Sequence, residues 1–347
     1  MKTFSGMRGA AGLLLVACSC LHAEVAGLEG TSALFTTNEV LEIGLVGPVG
    51  ATITDRDDRA ERRFRLVVDG AEQDVWVRVR GKSRSRRSIC KFPPLRFRFE
   101  QGSGLFAGHE KLKLVTHCRN SERGDADVME EYAAYRIFNL LSPVSLRVRP
   151  LRITYTDTAG DPGENVQQHY GFLIESVREL AERSGGEERE LEGVALAWLD
   201  PDQAALVYVF QYLIGNTDWS FVAGDGSRYC CHNGRLLGIG DEIHYVPYDF
   251  DLAGLVSTRY AKPDPSLHLR SVRQRRYRGF CTDSGTLLRA IRQVVEREAE
   301  IDRIIRELPG LDEKQKQKDL AYVGEFFEQA SAGNELLERF ENRCLSE

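Results

Sequence analysis

Three aspartates stand where a carboxylate is hard to accommodate. Asp218 lies in Gly215-Asn216-Thr217-Asp218-Trp219-Ser220, and Asp249 and Asp251 flank Phe250 within Val246 to Val256, each stretch running beside apolar sequence. A carboxylate at the edge of a buried segment loses hydration, so it needs a cation, a hydrogen-bond donor or a chemical task. Two acids around one Phe at a strand end are harder to assign to a turn than a single loop Asp. The competing role for Asp218 is to organise a turn, since Asn, Thr and Asp often do so in loops. Trp219 and Tyr248 are expected to be packing residues, and His117 and His232 to be hydrogen-bonded structural histidines.

The elements needed to hold these acids are readable. Asp200-Pro201 gives an N-cap and a first-turn proline, and Leu206, Val207, Phe210, Leu213 and Ile214 recur at helical spacing until Gly215. Ile243 to Val246 reads as a strand that Pro247 ends just before Asp249. Upstream, Phe64 to Val68 and Val75 to Arg80 read as strands around an Asp69-Gly70 turn, with Val75, Val77 and Val79 on one face. Further strands are expected at Leu95 to Phe99, Lys111 to Val115, Leu146 to Tyr155 and His169 to Glu175, giving an antiparallel sheet. A basic loop, Gly81 to Arg87, would run along its edge; it is either a solvated hairpin tip or a phosphate-facing loop in which Arg80, Lys82 and Lys91 neutralise a polyphosphate. A helix from Asp127 to Leu141 has apolar residues on more than one side, so Glu131 on its second face needs a cationic partner, with Glu130 as the competing choice.

Arg178 to Glu192 reads as an exposed connection between lobes, and the chain ends in two long helices, Gly285 to Leu308 and Leu311 to Arg343. The fold class is therefore α+β and two-lobed, with an antiparallel β-rich N-lobe at 30–177 and a helical C-lobe at 195–347 carrying the acidic loops.

The 347 residues can bury a large core, and the formal net charge of -6 argues against a dedicated nucleic-acid binder. Residues 1–23 read as a signal peptide: Lys2 and Arg8 precede an apolar run too short to span a bilayer. Leu15-Val16-Ala17-Cys18 resembles a bacterial lipoprotein cleavage box, which would leave Cys18 as a lipid anchor; the competing cut follows Ala23. The protein is expected to be exported, as a periplasmic or outer-membrane-anchored lipoprotein or a secreted protein. Six cysteines remain beyond the signal, enough for three disulfides in an oxidising compartment. Cys90 with Cys118 is the preferred pair; Cys230 and Cys231, on opposite faces of a strand, are expected to have different partners.

The order of Val79-Arg80-Gly81-Lys82-Ser83 with Lys91, then Tyr170-Gly171-Phe172-Leu173-Ile174-Glu175, then Gly215-Asn216-Thr217-Asp218-Trp219, then Pro247-Tyr248-Asp249-Phe250-Asp251 resembles the spore-coat CotH kinase family and its exported bacterial relatives. It is more distantly similar to HipA-type kinases. The resemblance implies an atypical kinase fold that holds ATP and Mg2+ or Mn2+ between two lobes. Position by position, it implies Asp218 as catalytic base and Asp249, Asp251 and Asn233 as metal ligands. Arg80, Lys82, Lys91, Glu131 and Glu175 would fall on the nucleotide side. The chain departs from the HipA-type segment in having Trp219 and Ser220 where His and a nearby Asn continue it, and it lacks a full kinase glycine-rich loop.

The leading expectation is phosphoryl transfer from ATP to a hydroxyl of an exported protein or surface polymer. The alternatives are a nucleotide-sugar transferase using Asp249-Phe250-Asp251, and an envelope binding or assembly protein that keeps the fold without the activity.

Overall fold

The computed structural model describes residues 1, 32–159, 165–221 and 229–346. The expected signal peptide and lipid anchor lie outside the described residues. Strand formation in the N-terminal half follows the alternation in the sequence. In β3 (Ala71–Val79) Val75, Val77 and Val79 are almost fully buried, and the turn from β2 (Arg62–Val68) uses Asp69 and Gly70, both at positive φ.

The sheet is closed rather than open. β1 (Leu41–Gly47), β2, β3, β4 (Leu95–Arg98), β5 (Lys111–Thr116), β7 (Val166–Ile174) and β6 (Val148–Asp157) follow one another round a barrel. The parallel pairing of Leu41 with Leu151 through Gly47 with Asp157 shuts it. Closure removes both sheet edges, and the inward side chains Leu45, Leu66, Phe97, Leu114, Leu151 and Ile153 fill the interior. A short helix α1 (Val49–Thr54) follows β1. The basic loop is consequently a rim segment between β3 and β4.

Helix α2 (Glu122–Leu141) starts earlier than the sequence suggests because the Ser121 side chain accepts from Gly124 N–H and caps it. Met129, Ala133, Ile137 and Phe138 are buried in the same core as α4 (Pro201–Leu213), so α2 joins the barrel to the helical half. The Asp200 cap and Pro201 start of α4 stand as expected from the sequence.

The stretch expected to be an exposed connection is structured. Ser176 and Glu179 form a reciprocal capping box on α3 (Val177–Ser184), and β8 (Glu187–Arg189) pairs with β9 (Gly234–Ile239), which pairs in turn with β10 (Glu242–Pro247). The two long terminal helices are four shorter ones: α5 (Ser284–Val295), α6 (Glu298–Arg306), α7 (Glu313–Ser331) and α8 (Glu335–Glu341).

Three disulfides occur among the described residues, and they fit an oxidising, exported environment. Cys90 bonds Cys118 as expected, tying the basic loop to the segment before α2. Cys230 and Cys231 bond each other, contrary to expectation: they lie in a loop, so strand alternation does not set their directions. Cys281 pairs with Cys344. No helix among the described residues is long and apolar enough to cross a membrane.

Candidate functional site

Asp249-Phe250-Asp251 follows β10, and its placement is fixed by the middle residue. Phe250 is fully buried against Tyr135 of α2 and Phe210 of α4, with ring centroids 4.7 and 5.4 Å away. The two acids on either side are thereby presented to different surroundings. Asp249 is at φ 63°, a left-handed conformation that Asp tolerates better than most residues, and its backbone N–H donates to the Tyr135 hydroxyl at 2.9 Å. Its side chain is 39% exposed, whereas that of Asp251 is 7% exposed.

Arg84, buried and projecting from the basic loop, joins both acids to α2. Its Nη1 lies 2.8 Å from Glu131 Oε2, its Nη2 2.7 Å from Asp249 Oδ1 and its Nε 3.3 Å from Asp251 Oδ2. Tyr260 also donates to Asp251 Oδ2 at 2.9 Å. One guanidinium thus faces three carboxylates. Burial pushes Asp251 up to about 7, helped by the charges of Asp249 and Glu131 and opposed by Arg84. Burial likewise raises Glu131, opposed by Arg84. The carboxylates around Arg84 hold it firmly protonated despite its burial.

Two more cations face Asp249 without pairing to it. Arg80 at the end of β3 is lowered by burial and by neighbouring Arg84, and its Nε has no hydrogen-bond partner. Lys113 of β5 is pushed down to about 8 by burial and by the Arg80 and Arg235 charges; its ammonium stands 5.2 Å from the Tyr248 ring centroid. Neither makes an ion pair among the described residues. They form a half-buried positive wall beside an open carboxylate.

Asp218 lies in the loop after α4, against Asn233 just before β9. α4 stops at Gly215, at φ 64°, where a side chain would run into the Tyr322 hydroxyl and the Gly254 backbone. Asn216 makes the turn that follows, its Oδ1 accepting from Asp218 N–H at 3.0 Å and its carbonyl from Trp219 Nε1 at 3.1 Å. The Asp218 carboxylate is left for other partners. His232 Nε2 lies 2.8 Å from Oδ1, and Asn233 Nδ2 donates to Oδ2 at 2.9 Å and to the Asp218 carbonyl at 2.7 Å. The Asn233 carbonyl in turn accepts from Tyr248 N–H at 3.1 Å, so one residue links the Asp218 loop to the segment carrying Asp249. Trp219 is a packing residue, buried against Tyr208 and Phe221.

Of the residues singled out in the sequence, the structure gathers Asp249, Asp251 and Glu131 around Arg84, with Arg80 beside them. Asn233 serves Asp218 rather than the Asp249 pair. Glu175 lies elsewhere: it accepts from Arg183 Nε at 2.8 Å and from Arg147 N–H at 2.9 Å, an internal brace at the end of β7. Lys82 is exposed in the basic loop, and Lys91 is exposed beside a separate cavity. Glu130, the competing choice on α2, pairs with Arg123. Sequence reasoning missed Arg84, Lys113 and Tyr260. Lys113 had a usable signal, a lysine inside an alternating strand directly ahead of the helix that carries Glu131.

No group of three or more His, Cys, Asp or Glu able to hold a metal ion occurs among the described residues. That does not conflict with magnesium in a phosphate complex, which commonly takes only one or two protein carboxylates and completes its shell with phosphates and water. Asp249 fits such a role by its exposure and by the excess of acid around Arg84.

No protein-family model and no curated protein matches the chain. Among solved structures, the chain is similar to a Helicobacter pylori proinflammatory kinase, CtkA, at 12% identity, covering 82% of this chain and 92% of that one with a TM-score of 0.37. A likeness that loose fixes neither fold nor activity.

Proposed function

We propose that the protein is a metal-dependent, kinase-like phosphotransferase that moves the γ-phosphate of ATP to a hydroxyl of an exported protein or surface polymer. The observation that carries this reading is the pairing of a solvent-open carboxylate, Asp249, with two cations, Arg80 and Lys113, that make no ion pair among the described residues. A polyphosphate would engage those cations, and Asp249 would hold the accompanying ion. That ion, when bound, would neutralise the phosphate charge as the γ-phosphoryl group departs.

The chain's own part is positioning. Arg84 and Glu131 fix the barrel rim against α2, keeping the Arg80–Lys113 wall over Asp249. Asp218 would accept the acceptor's hydroxyl proton, and its hydrogen bonds from Asn233 and with His232 orient the carboxylate for that. Its position across the Asn233–Tyr248 link from Asp249 supports a division into a phosphate side and an acceptor side.

A second reading, an envelope binding protein without catalysis, is favoured by Arg84 itself: its guanidinium already compensates both Asp249 and Asp251. The two separate in one experiment with the purified chain, ATP, magnesium and a hydroxyl-rich acceptor mixture. Phosphate transfer is expected in the wild type and a drop of roughly 10²–10⁴-fold in Asp218→Asn, with ATP affinity retained. No transfer to any acceptor, with identical behaviour of Asp218→Asn, supports the binding protein instead.

A further inference from the structure

A cavity of about 480 Å³ opens on the barrel rim between α1, the end of the basic loop and the start of α2. It belongs to neither the Asp249 nor the Asp218 surroundings. Three cations line it, Lys91, Arg119 and Arg259, drawn from three separate segments, and none forms an ion pair among the described residues. Like charges gathered at one opening without compensation repel each other, and an anion relieves that repulsion.

The acids nearby offset this charge only in part and, among the described residues, make no ion pair with the three cations. Asp157 is the carboxylate lining the cavity, and both its oxygens are taken by backbone donors: Oδ2 accepts from Gly50 N–H at 2.8 Å and Oδ1 from Ala159 N–H at 3.1 Å. Asp127 feels Arg119 and Arg259 but is held by Arg123 at 2.7 Å.

An independent sign comes from Tyr155, which lines the same cavity. Its ring is 2% exposed and its hydroxyl has no hydrogen-bond partner. Buried hydroxyls are nearly always satisfied, so an unpartnered one in the wall of a cation-lined space lacks the acceptor that a ligand oxygen would supply. Asn120 at the rim is engaged within the protein, its amide donating to Gln167 Oε1 at 2.6 Å. Guanidinium forks, an ammonium and a phenol together match the oxygens of a phosphate group, and the remaining wall, where Val49, Ile53 and Phe92 alternate with polar Ser121 and Gln167, leaves room for the body of a small polar molecule.

We propose that this cavity is a second ligand site, which binds the phosphate group of a phosphorylated small molecule through Lys91, Arg119, Arg259 and the Tyr155 hydroxyl. The site stands independently of the phosphotransferase reading, since none of these residues touches the Asp249 cluster.

Inorganic pyrophosphate is the probe, titrated calorimetrically into the full chain without divalent cations and at fixed ionic strength. In a Lys113→Ala background, which removes the contribution of the Arg80–Lys113 wall, one saturable site is expected, weakened by about tenfold or more by Arg119→Gln/Arg259→Gln and several-fold by Tyr155→Phe. Lys91→Gln, at an exposed position, gives the same direction should the double variant lose its fold. An affinity unmoved by these substitutions, or abolished by Lys113→Ala alone, overturns the assignment; so does the lack of any saturable binding.

Discussion

Adjacent glutamates on α2 build two charge clusters of nearly the same composition, and only one of them looks equipped for a ligand. Glu131 meets Arg84, which also contacts Asp249 and Asp251; Glu130 meets Arg123 at 3.1 Å, which also contacts Asp127 at 2.7 Å and lies near Asp319. In both, one arginine faces three acids, and burial raises the carboxyls: Asp251 to about 7, Asp127 and Asp319 to about 6. The difference lies in what surrounds the acids. Near Glu131 a half-open Asp249 has Arg80 and Lys113 beside it, while on the Glu130 side the acids are covered, Glu130 fully and Asp127 to 14% exposure, and it is Arg123 that reaches solvent. Raised carboxyls alone therefore do not mark a site. The Glu131 side is proposed as the site instead for its exposed acid beside cations that make no ion pair among the described residues.

The largest effect expected is on stability. Arg84→Ala strips the one cation common to three carboxylates, two of them buried, and should lower unfolding free energy by about 3–5 kcal/mol. Arg123 is more exposed, at 32% against 7% for Arg84, so Arg123→Ala should cost clearly less. Denaturant titration of both variants tests the ranking, and equal losses would remove the asymmetry between the clusters.

The next effect is on ligand response. Magnesium with ATP should raise the melting temperature of the wild type and of Asp319→Asn alike, and of Asp249→Ala not at all. A full shift in Asp249→Ala would falsify the phosphate-site assignment.

Lys113 supplies a smaller, pH-graded test. Its folded-state pKa of about 8 lies below the ordinary lysine value, so its charge is present below about 8 and lost as pH rises through that value. Nucleotide affinity should fall several-fold between pH 7 and pH 9.5, and Lys113→Ala should be weaker at pH 7 but nearly flat over that range. Stability carries the opposite sign: the unfolded chain keeps its proton to higher pH, so Lys113 favours folding more as pH rises above about 8.

The contrast between the clusters also explains what the sequence could reveal. Strand alternation located β2 to β7, and the Asp200-Pro201 cap located α4, because these signals are local. Barrel closure was hidden, since it depends on the parallel pairing of β1 with β6, more than a hundred residues apart in sequence and marked by no turn. The need of Glu131 for a cation was legible from its place on a helix face; the identity of that cation was not, because Arg84 lies in a run of basic residues that periodicity cannot rank. Glu175 matched the motif order yet braces Arg183, since a strand-end acid reads the same whatever helix packs beneath it.

The smallest effect separates the two neighbours on α2. Glu130 is fully buried, and burial, with Asp319 and Asp127 nearby, raises its carboxyl well above the usual range against the pull of Arg123. A group whose folded pKa is raised helps folding while its proton is bound and loses that help as pH climbs past the ordinary carboxylate range toward the folded value. Glutamine carries no such charge at any pH, although it can accept only one of the two bonds that Arg123 now makes. Glu130→Gln should therefore change stability by no more than about 1 kcal/mol at pH 7, and should compare better with the wild type at pH 8 than at pH 5. Glu131→Gln should cost more at pH 7, because Arg84 lies closer to Glu131, is less exposed than Arg123 and has two further acids to balance. Melting curves of the two variants at both pH values decide it: a loss of several kcal/mol for Glu130→Gln at pH 8 would mean that Glu130 is ionised in the fold and that the two clusters work alike.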